Sequence, residues 1–171
     1  KLMLPVQWND PDILQGGKLC KPNRPNTAFV QTRLSPDEQY THVTLWCLLS
    51  APLIISCDLE NIDSFTLGLL TNDEVIAVDQ DPAARPARRA WNQGNFQVWT
   101  KELADGSTAA GFFNTGGSRE VLKVNLKDIG LSGPYQVRDH WKRADQGTAE
   151  GDIAVELSSH GAAMFRFTRK E

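Results

Sequence analysis

The sequence holds 171 residues, 40% of them apolar and 23% charged, with a formal net charge of -3. That length and composition suit a globular protein of one large domain or two small ones. The slight acidity, without a long run of either sign, gives no electrostatic basis for nucleic acid or an anionic membrane as partner, and no apolar run nears the roughly 18 residues of a membrane span.

The start, KLMLPVQW, lacks an apolar signal core followed by a small-residue cleavage site, so export is not legible there. Cys20, Cys47 and Cys57 are odd in number and form no CxxC pair. They read as free thiols, Cys47 and Cys57 buried, rather than as a zinc site or disulfide framework.

In chain order, PVQW is strand-like and stops at a loop, QWNDPDIL, that packs an indole, an amide and two carboxylates around a proline. A Gly/Pro/Asn-rich excursion from Gln15 to Arg33 follows. In SPDE, Ser35 caps a helix, Pro36 takes its first position and Glu38 completes a capping box. Tyr40, Val43, Leu45, Cys47, Leu48 and Leu49 give that helix a wide apolar face, and Ala51-Pro52 ends it.

Leu53 to Cys57, LIISC, reads as a parallel strand buried on both faces and ends at Asp58. FTLGLL reads as a short helix, and Asn72 starts another through Val78, with Asp73 and Glu74 at its positive end. This βαβα order implies right-handed parallel crossovers, as in a doubly wound sheet or a (β/α)8 barrel.

The texture changes at DPAARPARRA. The expected organisation is an α/β portion over 1–82, a linker over 83–90 and an antiparallel β-sandwich over 91–171. In that last part FQVWTKEL, STAAGFFN, EVLKVNL, YQVRDHW, DIAVELS and GAAMFRFT alternate with DG, TGG, LSGP, DQGT and SSHG turns.

Chemistry concentrates in the first loop. In α/β barrels the loops after the strands converge over the mouth, so carboxylates there are placed for function. Pro11 stiffens the turn between Asp10 and Asp12. Asn9 and Asp10 suit turn-building Asx contacts and Trp8 suits packing. Asp12, followed by Ile13 and Leu14, admits both a pocket role and a turn role, and the pocket role is preferred.

The rivals are weaker. His42, His140 and His160 lack metal-ligand spacing and suit surface or turn roles. No serine sits in a GxSxG elbow. Gly116 and Gly117 suit a hairpin turn better than a phosphate cradle. Trp91, Trp99 and Trp141 suit core packing, with a sugar-stacking platform as the alternative. Arg85, Arg88 and Arg89 suit a solvated linker.

WNDPDIL, RLSPDEQYTHVTLWCLLSAPLIISCDL and LLTNDEVIAVDQDP, in that order, resemble the last part of a melibiase, the α-galactosidases and α-N-acetylgalactosaminidases of glycoside hydrolase family 27. VRDHW and HGAAMFRF resemble that family's C-terminal β domain more loosely. The resemblance implies α/β plus all-β architecture: the last two β/α units of a (β/α)8 TIM barrel, then the sandwich.

It also implies that the nucleophilic and acid/base Asp lie upstream, with no catalytic residue in this segment. Asp12 then lines the sugar pocket with Ile13, which stands where Met is common, and Trp8, Asn9 and Asp10 support the turn. The implied partners are a carbohydrate substrate and the missing N-terminal barrel portion; a homo-oligomer is left open, and no metal or cofactor is implied.

Ile13, the GGKLCKPNRPNTAFVQTR segment and DPAARPARR depart from the family pattern, which keeps arabinopyranoside- and isomaltose-releasing activities among the alternatives. A non-catalytic carbohydrate-binding protein and a structural sandwich on a barrel remnant are the rival classes. The family favours a periplasmic or secreted bacterial protein, and the absence of an N-x-S/T sequon points the same way.

Overall fold

The computed structural model describes residues 10–20 and 29–170. The expected strand PVQW, with Trp8 and Asn9, lies outside the described residues. Among the described residues, three helices precede the large sheet, α1 (Pro36–Leu49), α2 (Ser64–Leu70) and α3 (Asp73–Asp79).

Helix α1 begins as its sequence dictates. Ser35 Oγ accepts from Glu38 N–H at 3.2 Å, and Glu38 Oε2 accepts from Ser35 N–H at 2.7 Å, so two otherwise orphaned donors are satisfied reciprocally. Its end departs from expectation: Ser50, at φ 50°, closes it in the left-handed region, before Ala51-Pro52 is reached. Helix α2 is capped by Asp63, which accepts from Thr66 N–H at 2.8 Å. Helix α3 is capped by Asn72, which accepts from Glu74 N–H at 3.1 Å and Val75 N–H at 3.3 Å.

Two expectations in this half need correction. The excursion from Gln15 to Arg33 contains a short antiparallel ribbon, β1 (Lys18–Cys20) with β2 (Phe29–Gln31). LIISC is not a strand buried on both faces: among the described residues its pairing is one parallel bridge, Leu14 to Ile55, and Ile54 and Ile55 are 50% and 43% exposed. Apolarity supplies the tendency to bury a strand, but each face is covered only where another element packs against it. Cys47 is fully buried whereas Cys57 is only partly so.

The remaining strands are β3 (Arg88–Gln93), β4 (Phe96–Glu102), β5 (Thr108–Asn114), β6 (Glu120–Asn125), β7 (Tyr135–Asp139), β8 (Ala144–Ala149), β9 (Asp152–Leu157) and β10 (Ala162–Arg169). Six form an antiparallel sheet in the order β3-β4-β5-β10-β7-β8, and β6 pairs with β9 in a second sheet. Arg88 to Ala90, expected within a linker, already belong to β3, and DQGT, expected as a turn, lies inside β8. Gly116 and Gly117 do not close a hairpin, because β5 and β6 lie in different sheets.

The period-2 alternation of strands places side chains on both faces of the large sheet. Ala110 and Phe112 of β5, with Val98, Phe165 and Phe167, face Leu122, Val124, Val155 and Leu157 of the small sheet. Ala109 and Phe113, with Met164, face the helices and pack with Val43, Cys47, Leu48, Val75 and Val78. Gly111 lies between these two β5 residues, and a Cβ there would come within 2.5 Å of Leu48 Cδ1. The close seating of α1 on the sheet requires glycine at that position.

Candidate functional site

The loop expected to carry chemistry is described from Asp10 onward. Asp12 N–H donates to Asp10 Oδ1 at 2.9 Å, an Asx-type turn spanning Pro11. Asp12 has φ 83°, a conformation uncommon for a residue with a side chain, and aspartate is among the few that tolerate it. Both aspartates are exposed, Ile13 is half-buried and Leu14 is 3% exposed.

Leu14 anchors the loop. Its N–H donates to Ile54 O at 2.8 Å and its carbonyl accepts from Ser56 N–H at 3.1 Å, the slanted pattern of a parallel pair. The described pairing therefore falls after both carboxylates rather than before them. Farther along, Lys18 O accepts from Asp58 N–H at 2.8 Å, and Gly17 N–H donates to Gln39 Oε1 at 3.3 Å from α1. Asp12 thus leaves a backbone that is fixed on both sides.

Asp58, at the end of the second apolar run, is placed differently. It is 7% exposed, Oδ1 accepts from the N–H groups of Glu60 and Asn61, each at 3.2 Å, and Oδ2 accepts from Asn61 Nδ2 at 3.0 Å. Its lone pairs are occupied by its own turn. Among the described residues, no side chain hydrogen-bonds the Asp12 carboxylate. Of Asp12 and Asp58, Asp12 is the one whose carboxylate, among the described residues, is left open to a ligand hydroxyl.

The tryptophans do not form one platform. Trp91 packs on the core between the sheets, whereas Trp99 and Trp141 pack on the helix-facing core. Arg85 pairs with Glu102 at 2.9 Å on the surface. Among the described residues no group of three or more His, Cys, Asp or Glu could hold a metal ion, and no helix is long and apolar enough to cross a membrane.

Sequence reasoning missed two polar groups that join the halves. Lys101 of β4 is 1% exposed, and its Nζ donates to Ser50 Oγ at 2.6 Å, to Cys47 O at 3.4 Å and to Val78 O. It closes the carboxyl ends of α1 and α3 with one cation, where helix dipoles favour positive charge. Burial pushes the lysine pKa down, and Asp79 and Asp81 draw it back up. Burial likewise raises Asp79, against a side-chain hydrogen bond from Gln80 and the attraction of Lys101.

His140, expected on a surface or turn, is 2% exposed. Its Nδ1 lies 2.9 Å from Glu74 O, so Nδ1 carries the proton and donates to that carbonyl. Asn72 Nδ2 donates to His140 O at 3.0 Å. Beside it, Arg138 grips Glu74, with Nε to Oε2 at 2.8 Å and a terminal nitrogen to Oε1 at 2.5 Å. That fork holds the Glu74 carboxyl below its ordinary value. No local signal in the sequence points to this, because Glu74 lies 64 and 66 residues from Arg138 and His140.

Two family models match in succession: "Alpha galactosidase A" over residues 2–81 and "Alpha galactosidase C-terminal beta sandwich domain" over residues 93–167. The chain belongs to the melibiase-type glycoside hydrolase family 27. An α-galactosidase of Cyamopsis tetragonoloba is 31% identical over 166 residues, covering 96% of this chain and 37% of that protein.

Among solved structures, a family 27 β-L-arabinopyranosidase from Geobacillus stearothermophilus superposes with a TM-score of 0.85 at 32% identity, covering 95% of this chain and 37% of its own. α-Galactosidase I from Mortierella vinacea superposes at 0.83 with 29% identity, covering 95% and 40%. The melibiase architecture accounts for both halves: the helical half is the end of the (β/α)8 barrel, and the two packed antiparallel sheets are the C-terminal sandwich. The chain spans well under half the length of each of these relatives.

Proposed function

We propose that the protein carrying this chain is a retaining α-galactosidase-like glycoside hydrolase that releases terminal α-linked galactose or N-acetylgalactosamine. The observation that carries the reading is the Asp12 turn: an exposed carboxylate on a left-handed backbone, held by Asp10 on one side and by the Leu14–Ile55 pairing on the other. Uncommon backbone conformations at non-glycine residues cost energy and persist where the surroundings impose them, often in binding sites. Asp12 accepts a hydroxyl of the glycosyl unit, and Ile13 forms apolar wall beside it.

In a retaining hydrolysis, one carboxylate attacks the anomeric carbon while a second, about 5–5.5 Å away, protonates the departing oxygen; water then releases the sugar. In this reading both reacting carboxylates come from the barrel portion preceding residue 1. Asp12 positions the ring and does not react, and the seating of α1 and α3 on the sandwich keeps the barrel end in register with it.

A second reading, β-L-arabinopyranoside hydrolysis, is favoured by the likeness to the Geobacillus enzyme. That sugar has the galactose ring configuration but no hydroxymethyl group, so the two readings differ at one substituent. The test is kcat/KM for p-nitrophenyl α-D-galactopyranoside against p-nitrophenyl β-L-arabinopyranoside, with the full-length protein. A galactoside preference supports the first reading, an arabinopyranoside preference supports the second, and turnover of neither these nor p-nitrophenyl N-acetyl-α-D-galactosaminide contradicts both.

A further inference from the structure

A recess of about 260 Å³ lies at the seam between α1 and the sandwich, and no residue of the Asp12 turn is among its lining. Asp37 and Tyr40 of α1 form one side; Asp139 at the end of β7, Trp141 and Lys142 just after it, and Ser158 after β9 form the other.

Its parts are held in place. The Tyr40 and Trp141 rings meet edge to face with centroids 4.7 Å apart, and Tyr40 also meets Phe65 at 5.7 Å. Trp141 Nε1 donates to Thr44 Oγ1 at 2.9 Å, which fixes the indole against α1. Asp139 is 2% exposed; its Oδ1 accepts from Lys142 N–H at 3.0 Å and its Oδ2 lies 3.0 Å from Lys142 Nζ. Thr41 Oγ1 donates to His160 O at 2.7 Å, which ties α1 to the turn before β10.

The chemistry of the lining narrows the ligand. Carboxylates disfavour an anion, and the Lys142 ammonium on Asp139 disfavours a small cation. Several polar groups disfavour a wholly apolar guest. Among the described residues, the Tyr40 and Ser158 hydroxyls and the Asp37 carboxylate have no side-chain partner, and their residues line the recess together with Trp141. A few convergent polar groups on a partly aromatic wall suit a small neutral ligand with many hydroxyls and one carbon-hydrogen face. We infer that this recess binds a single pyranose ring, as a second carbohydrate site outside the proposed catalytic pocket.

The recess is lined by both halves, so its ligand also stabilises the folded chain, by an amount that grows as the logarithm of one plus the ratio of ligand concentration to Kd. The inference does not depend on hydrolysis, and its test reads binding alone.

The experiment is saturation-transfer NMR and thermal melting of the 171-residue chain with methyl α-D-galactopyranoside, methyl β-L-arabinopyranoside and, as a ringless polyol, glycerol. The expected result is saturable binding of a pyranoside and none of glycerol. Asp37→Ala and Tyr40→Phe should each weaken the pyranoside about three- to tenfold, the range of one lost hydrogen bond. Lys142→Ala, at a side chain 73% exposed, tests the same wall, and its thermal melt without ligand reads the cost of leaving the buried Asp139 without its cation. No saturation, saturation that all three variants leave unchanged, or saturation abolished by Asp12→Ala would each overturn the assignment.

Discussion

Lys101 and Ser50 are joined across the two halves of the molecule, the lysine ammonium donating to the serine hydroxyl at 2.6 Å. The same ammonium serves Cys47 O and Val78 O, so one side chain ends two helices and fixes both to β4. Lys101→Met keeps the volume and removes the donors, leaving buried acceptors unpaired at about 1–3 kcal/mol. Relief from burying a charge offsets part of this. The expected outcome of a thermal melt is a decrease of about 2–4 °C for each kcal/mol lost. An unchanged melt would show that the three contacts contribute nothing net.

His140 predicts an acid-side loss of stability. Burial is the largest cause lowering its pKa below 6.5, and Arg166 and Arg138 add to it; attraction to Glu74 and the hydrogen bond to the Glu74 backbone oppose. With Nδ1 donating to Glu74 O, a second proton would go to Nε2, which is buried without a partner among the described residues. The unfolded chain therefore binds this proton more readily than the folded one, so stability rises with pH in this window. The contribution is fully present above about pH 6.5 and is lost as pH falls through the lowered folded value. His140→Asn keeps a donor and cannot titrate, and its melting temperature should fall less between pH 7 and 5. His42, also lowered by burial, titrates in the same direction in both proteins. Parallel pH profiles would contradict the role given to His140.

Gly111→Ala places a methyl against Leu48 and the Phe113 ring, where a Cβ has 2.5 Å and 2.8 Å of room. Overpacking of this kind costs about 1–3 kcal/mol. Gly117→Ala, where nothing lies within 4 Å of the added carbon, is the control. Equal denaturation midpoints for the two variants would show that α1 is seated more loosely than the contact implies.

Ser35→Ala removes one half of the capping box and should cost about 1 kcal/mol, read from urea midpoints with unchanged slope. Glu38→Ala removes the other half and should cost less, because Ser35 still accepts from the backbone. The reverse order would be at odds with the geometry of this cap.

Helix α1 was legible because its start signals are local: four residues encode a cap, a fixed φ and a reciprocal bond. Within the six-stranded sheet, the two strands that went unread, β3 and β8, are its two edges. Their residues are mostly exposed, so neither needs the apolar alternation by which β5 and β10 announce themselves. Lys101 and His140 act through partners far away in sequence, and nothing local distinguishes a buried lysine from a solvated one. Within the DPD turn, the bond from Asp12 N–H to Asp10 was legible as Asx chemistry. The positive φ of Asp12 was not, since it depends on how Leu14 is anchored to Ile54 and Ser56.

The account rests most heavily on Asp12 holding a sugar while Asp10 holds the turn. The direct measurement is kcat/KM on a p-nitrophenyl α-galactoside, with thermal melts, for Asp12→Ala and Asp10→Asn in the full-length protein. Misplacing a substrate by about 1 Å can cost on the order of 100-fold in rate, so Asp12→Ala should lose activity on that scale, far beyond the stability loss of about 1 kcal/mol expected for alanine at a positive φ. Asp10→Asn should keep most of its activity and lose about 1 kcal/mol of stability or less, since an amide oxygen still accepts the Asp12 N–H. Near-normal kcat/KM for Asp12→Ala would contradict the account and leave the turn a purely structural element.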